Sequence, residues 1–67
     1  MIKIKDTYSL KDIVVLLLSE WPTNPYNYVV VDGIKYKAII VYDTGVPAIA
    51  IKAEGDFKDK MADFVLE

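Results

Sequence analysis

The stretch NYVVVDGIKYK, residues 27–37, decides how the rest of the sequence is interpreted. It places Asp32-Gly33 between runs of β-branched and aromatic residues, which are typical of strands. Asp-Gly favours a type I′ turn, because both central residues of that turn need positive φ. The stretch therefore predicts a β-hairpin with a two-residue loop, in which Val31 pairs with Ile34.

This register assigns every side chain of the hairpin to one of two faces, because side chains alternate along a strand. One face carries no charge and is expected to be the core face. A further strand is expected over residues 46–53, and burial favours the register that puts Ile49 and Ile51 on that same face, since a one-residue slip exchanges the faces. The uncharged hairpin face consists of Val29, Val31, Ile34, Tyr36, Ala38, Ile40 and Tyr42.

The segment before the hairpin predicts a helix that opens at Ser9 and runs to about Glu20 or Trp21. Ser9 can cap the first turn, and Pro22 disfavours helical geometry in the residue before it. On a helical wheel, Val15 and Leu16 fall outside the main apolar stripe, so they indicate a second packing surface. The main stripe consists of Leu10, Ile13, Val14, Leu17, Leu18 and Trp21.

The two ends of the chain complete the expected fold. Met1–Lys5 alternates apolar and charged residues, as a short edge strand does. Asp56 is expected to cap a second helix with an apolar stripe of Phe57, Met61, Phe64 and Val65. The sequence therefore predicts one α+β domain, residues 1–67, in which two helices pack on a three- or four-stranded antiparallel sheet. The expected order is (β)-α-β-β-β-α.

The composition argues against catalysis and against cofactors. The 67 residues contain no Cys and no His. Disulfides, zinc sites and Cys–His or Ser–His nucleophiles need these residues, so all of them are excluded. The three glycines lie far apart, which excludes a glycine-rich phosphate loop. Asp56, Asp59 and Asp63 are interpreted as a cap and as solvated positions of the second helix. We therefore expect no enzyme activity, no metal and no cofactor.

A surplus of apolar residues predicts contact with another protein. A domain of this size buries only about 60% of its unfolded surface, and here no disulfide or metal adds stability. Hydrophobic residues nevertheless make up 54% of the chain. We therefore expect a self-associating interaction protein, a homodimer or other homo-oligomer, or one that binds a protein partner. The candidate interface consists of Val15, Leu16, Val30, Ile39 and Val41.

The alternative hypothesis is a nucleic-acid-binding sheet face made of Tyr28, Lys35 and Lys37. An aromatic ring between ammonium groups resembles the way single-strand binders stack a base. The net charge of −2 and the absence of Arg weigh against it. The longest apolar run, Ile13–Leu18, is far too short to span a bilayer, so no membrane contact and a cytoplasmic location are expected.

Overall fold

Six strands form a closed antiparallel barrel in this computed structural model, which describes residues 1–39 and 45–67. Around the barrel the order is β1-β2-β5-β4-β3-β6. β3, β4 and β5 are neighbours in sequence order, and β6 returns to lie beside β3, which is a Greek-key arrangement. The strands are β1 (Ile2–Leu10), β2 (Ile13–Leu18), β3 (Tyr28–Val31), β4 (Ile34–Ile39), β5 (Ala48–Lys52) and β6 (Met61–Val65).

The α+β prediction is wrong, because the described residues form strands and no helix. The expected first helix is instead the end of β1, a two-residue turn at Lys11-Asp12, and β2. β2 pairs with β1 on one side and β5 on the other, and most of its residues are buried. β2 is apolar on both faces, because Val14, Leu16 and Leu18 fill the barrel interior and Ile13, Val15 and Leu17 lie outside it. The run Ile13–Leu18 therefore carries no helical period.

The second helix is also a wrong prediction. Asp56 does accept a backbone hydrogen bond, from Lys58 N at 3.0 Å, but this closes a local turn and not a helix. Phe57 leaves that turn to pack in the core, edge-on to Tyr36 with ring centroids 5.7 Å apart. Asp59 then adopts a φ of 68°, and β6 begins at Met61.

The central hairpin is confirmed in its turn and its register. Asp32 and Gly33 have φ of 53° and 78°, and Val31 pairs with Ile34. Val29 and Val31 are buried, as the core-face prediction requires, whereas Ile34 beside the turn is exposed. Ile49 and Ile51 are buried in the same core cluster, which confirms the register predicted for β5. Of the other residues assigned to the core face, Ile40 and Tyr42 lie outside the described residues.

The predicted strand at Met1–Lys5 is part of the longer β1, but it is not a sheet edge. It pairs with β2 and also with β6, and the second pairing closes the barrel. A register shift lies between Ile4 and Asp6. Ile4 is buried inside the barrel, and beyond the bulge Tyr8 lies opposite Val15, on the outer surface. A bulge of this kind re-aims the side chains that follow it.

The barrel interior is filled by apolar side chains from five of the strands, and Tyr36 and Ala38 of β4 pack against them partly buried. The buried cluster inside the barrel consists of Ile4, Val14, Leu16, Leu18, Val29, Val31, Ile49, Ile51, Phe57, Ala62 and Phe64. Tyr26 lies at the edge of this cluster with its ring edge-on to Phe64, at a centroid distance of 5.1 Å.

Candidate interaction surfaces

An apolar surface lies on the outside of the barrel across β1, β2, β5 and the end of β4, and we call it the outer apolar face. Residues directly opposite each other in an antiparallel ladder share a face. Tyr8 lies opposite Val15, Val15 opposite Ala50, and Ala50 opposite Ile39. The row therefore crosses four strands without a charged side chain. The outer apolar face consists of Tyr8, Leu10, Ile13, Val15, Leu17, Ile39, Ala48 and Ala50.

This face has a buried floor and an exposed rim. Val15, Ala48 and Ala50 form a second buried cluster, separate from the one inside the barrel. Around them Tyr8 is 50%, Leu10 52% and Ile39 39% exposed. Scattered exposed apolar residues are ordinary, but a contiguous set that borders a buried apolar cluster is typical of contact surfaces.

Opposite charges stand at opposite corners of the outer apolar face. Asp6 lies beside Leu17 at one end of the β1 edge, and its Oδ1 accepts a hydrogen bond from Thr7 N at 2.9 Å. Lys52 lies opposite Ile13 at the far end of β5. Its Nζ is 4.0 Å from Asp12 Oδ2, and both side chains are mostly exposed, so this ion pair is weak.

The structure divides the predicted interface residues among different places. Val15 and Ile39 lie on the outer apolar face. Leu16 points into the barrel and is fully buried, so it cannot contact a partner. Val30 lies on the opposite side of the barrel between Lys35 and Asp63, and Val41 lies outside the described residues. Tyr8 was missed, although the alternation of Thr7, Tyr8, Ser9 and Leu10 is a strand signal.

Tyr28, Lys35 and Lys37 are brought together on the outer face of the β3–β4 hairpin. Tyr28 lies directly opposite Lys37, and Lys35 Nζ is 5.0 Å from the Tyr28 ring centroid, which is cation–π geometry. Lys35 Nζ also lies 2.5 Å from Glu67 Oε1. Because this carboxylate neutralises Lys35, Lys37 is the residue of the trio best placed to attract an anion.

A groove of about 430 Å³ lies where β1 and β6 separate. Trp21 and Glu20 line it from the β2–β3 connection, and Asp63 and Phe64 line it from β6. Asn24 Nδ2 donates to the Phe64 carbonyl at 3.0 Å, and the Met1 ammonium lies 3.7 Å from Asp63 Oδ1. Sequence patterns missed this groove, because they assigned Trp21 to the stripe of a helix.

A separate pocket is lined by Asp32, Asp59 and Lys60, and its two carboxylates outside β6 are held by cations of the same chain. Lys60 Nζ donates a hydrogen bond to Asp32, and Lys3 Nζ lies 3.7 Å from Asp59. The Asp32 hydrogen bond raises the pKa of the Lys60 ammonium above its usual 10.5. Across residues 1–39 and 45–67, no group of three or more His, Cys, Asp or Glu residues is placed to bind a metal ion.

The fold and surfaces thus define the class: a small antiparallel Greek-key barrel with an apolar outer face and a groove beside β6. A scan against family models and searches of curated proteins and solved structures found no match to this chain. Within the described ranges, no helix is long and apolar enough to cross a membrane.

Proposed function

We propose that the protein is a small non-enzymatic interaction module that pairs with a second copy of itself through the outer apolar face. The observation that carries this proposal is the row Tyr8–Val15–Ala50–Ile39, which crosses four strands with no charge. A sheet face that meets only water normally carries alternate polar residues. On β2 the outward residues Ile13, Val15 and Leu17 are all apolar instead.

The charges at the corners favour a second copy over an unrelated partner. A two-fold axis in the plane of the face, running diagonally across it, brings Asp6 of each copy next to Lys52 of the other. The same axis places Leu10 near its own counterpart. Such self-complementarity is what an isologous dimer requires.

The size of the face predicts a weak dimer. Three strand spacings by four residue steps give an area of roughly 14 by 13 Å. A standard interface buries about 800 Å² per partner, roughly a sixth of the 4551 Å² accessible surface of this chain. The face is smaller than that, so the dissociation constant is expected in the micromolar range or above.

Sedimentation equilibrium from micromolar to millimolar concentration tests the proposal. Leu10→Lys should weaken the dimer at least tenfold, because it places an ammonium group near its counterpart. Ile34→Lys is the matched control: Ile34 is similarly exposed and also flanks a two-residue turn, but it lies on β4 away from the face. Equal effects of the two substitutions, or a wild-type monomer at millimolar concentration, would refute the proposal.

A charge swap tests directly whether the partner is a second copy of the chain. Asp6→Lys and Lys52→Asp should each weaken the dimer, because each puts like charges together across the interface. The double variant should restore it. Failure of the double variant to recover, with both single variants folded, would contradict the diagonal arrangement.

A second candidate function is weak binding of single-stranded nucleic acid by Tyr28 and Lys37. It is supported by their direct pairing and by the exposure of Lys37. A salt-dependent shift on adding oligonucleotide, lost in Lys35→Ala/Lys37→Ala, is the expected result. Absence of a shift at low salt would end this hypothesis.

A further inference from the structure

β6 is paired unequally on its two sides. Towards β3 it pairs through Asp63, Phe64 and Val65. Towards β1 it pairs only through Met61 and Ala62, which lie opposite Lys3 and Ile2. The pairing of β1 with β6 ends at Ile2 and Ala62, whereas the pairing of β3 with β6 continues to Val65. The second half of β6 therefore presents a strand edge to the groove.

A side chain occupies part of this edge. Asn24 Nδ2 donates to the Phe64 carbonyl at 3.0 Å, where a neighbouring strand would place a backbone N–H. Trp21 lines the same groove and is 45% exposed. An exposed sheet edge is the feature to which an extended peptide adds a strand, and Trp21 lies beside this one.

We propose that the groove binds an extended, basic segment of a partner protein as an added strand on β6. Side chains of a strand alternate in direction. Alternate residues of the added strand would therefore lie beside buried Phe64, and the residues between them beside outward Asp63. The segment that fits alternates apolar residues with Lys or Arg.

Charge gives the groove its preference for a basic segment. Glu20 lines it and forms no ion pair with any residue that the structure describes. Asp63 is paired with the Met1 ammonium at 3.7 Å, between side chains that are about half exposed. A lysine of the bound segment replaces this contact.

Trp21 is the sole tryptophan of the chain, so its fluorescence reports on the groove directly. The probe is the peptide acetyl-Val-Lys-Val-Lys-Val-amide, compared with the same peptide carrying Glu for Lys. The Lys peptide should bind at least about fivefold more tightly, the effect of one exposed ion pair. Equal binding of the two peptides, or no fluorescence change with the Lys peptide at millimolar concentration, would overturn the proposal.

Two further comparisons separate strand addition from simple charge attraction. Glu20→Gln/Asp63→Asn should weaken binding of the Lys peptide about fivefold or more, whereas Asp12→Asn, at an exposed site on the β1–β2 turn, should not. A peptide N-methylated at both Lys residues and a peptide N-methylated at all Val residues should differ in affinity. The reason is that a strand presents its N–H groups to one neighbour at alternate residues only. If both N-methylated peptides bind as well as the parent, no strand is added.

Discussion

Replacing Leu16 and Leu10 by Ala distinguishes the barrel from the helical alternative. Leu16 lies inside the barrel and is fully buried, whereas Leu10 is 52% exposed on the outer apolar face. In a helix over residues 9–21, Leu10 would belong to the buried stripe and Leu16 would lie outside it. The two folds therefore predict opposite orders of destabilisation.

The magnitude is large enough to measure. Truncation of a buried Leu to Ala costs about 2–5 kcal/mol, and we expect about 3 kcal/mol for Leu16→Ala. A chain of this length is stable by roughly 3–10 kcal/mol, and each kcal/mol shifts Tm by roughly 4–8 °C. Leu16→Ala should thus lower Tm by roughly 12–24 °C, and Leu10→Ala by less than about 8 °C, since it loses a half-exposed side chain.

Urea unfolding followed by far-UV circular dichroism gives both free energies. Leu16→Met conserves volume, costs less than about 1.5 kcal/mol and serves if Leu16→Ala does not fold. Measurements at low micromolar concentration keep any dimer from contributing. If Leu10→Ala proves as costly as Leu16→Ala, the placement of β1 and β2 is wrong.

Three further predictions concern the turns and the titrating groups. Gly33→Ala should cost about 1 kcal/mol in urea unfolding, because φ is +78°, although no atom beyond the two neighbouring residues lies within 4 Å of the new Cβ. D-alanine at this position of a synthetic chain should cause no loss. Lys11→Asn should stabilise the chain by up to about 1 kcal/mol, because Lys11 has a φ of 55° and Asn tolerates this region better; Lys58→Asn, where φ is not positive, should give no gain. Burial raises the pKa of the Tyr26 phenol above 10.0, and the Asp32 hydrogen bond raises that of Lys60 above 10.5. Both groups hold their protons more tightly when folded, so their stabilisation is complete below about pH 10 and is lost as pH rises through the folded pKa. The Tm of the wild-type protein should therefore fall between pH 9 and 12, and it should fall less in Tyr26→Phe and in Lys60→Gln. Identical pH profiles of Tm in the wild type and both variants would contradict this prediction.

The central hairpin could be predicted because its cause is local. Asp32-Gly33 sets the turn, the turn sets the register, and the register sets which side chains are buried. β5 followed from the same face argument. None of these steps needs knowledge of a distant part of the chain.

The first hairpin could not be predicted with the same means. Its turn, Lys11-Asp12, has no glycine, and Lys11 adopts a positive φ although Lys does not favour that conformation. Ile13–Leu18 is apolar at every position, so periodicity cannot separate a strand that is apolar on both faces from a buried helix. The short length of the run and its β-branched start, Ile13-Val14-Val15, were the available signals for a strand. Tyr8 and Trp21 were not predicted as surface residues for the same reason, since both acquire their places only from this hairpin.

The second helix shows how one core residue can mislead. Phe57, Met61 and Phe64 stand at helical spacing, but Phe57 reaches the core from a turn while Met61 is exposed. Only the pairing of β6 with β1 and β3 settles which residues point inward, and those partners are distant in sequence.

The position of β6 between β1 and β3 has a consequence for biosynthesis. Neither neighbour gains its second partner until the last strand has been made, so the emerging chain cannot complete its fold from the N-terminus onward. Synthesis at about 5–20 residues per second leaves β1 and β2 without the closing strand for some seconds. During that time the apolar run Ile13–Leu18 is open to chaperones and to other nascent chains, and a premature stop before Met61 would leave that exposure permanent.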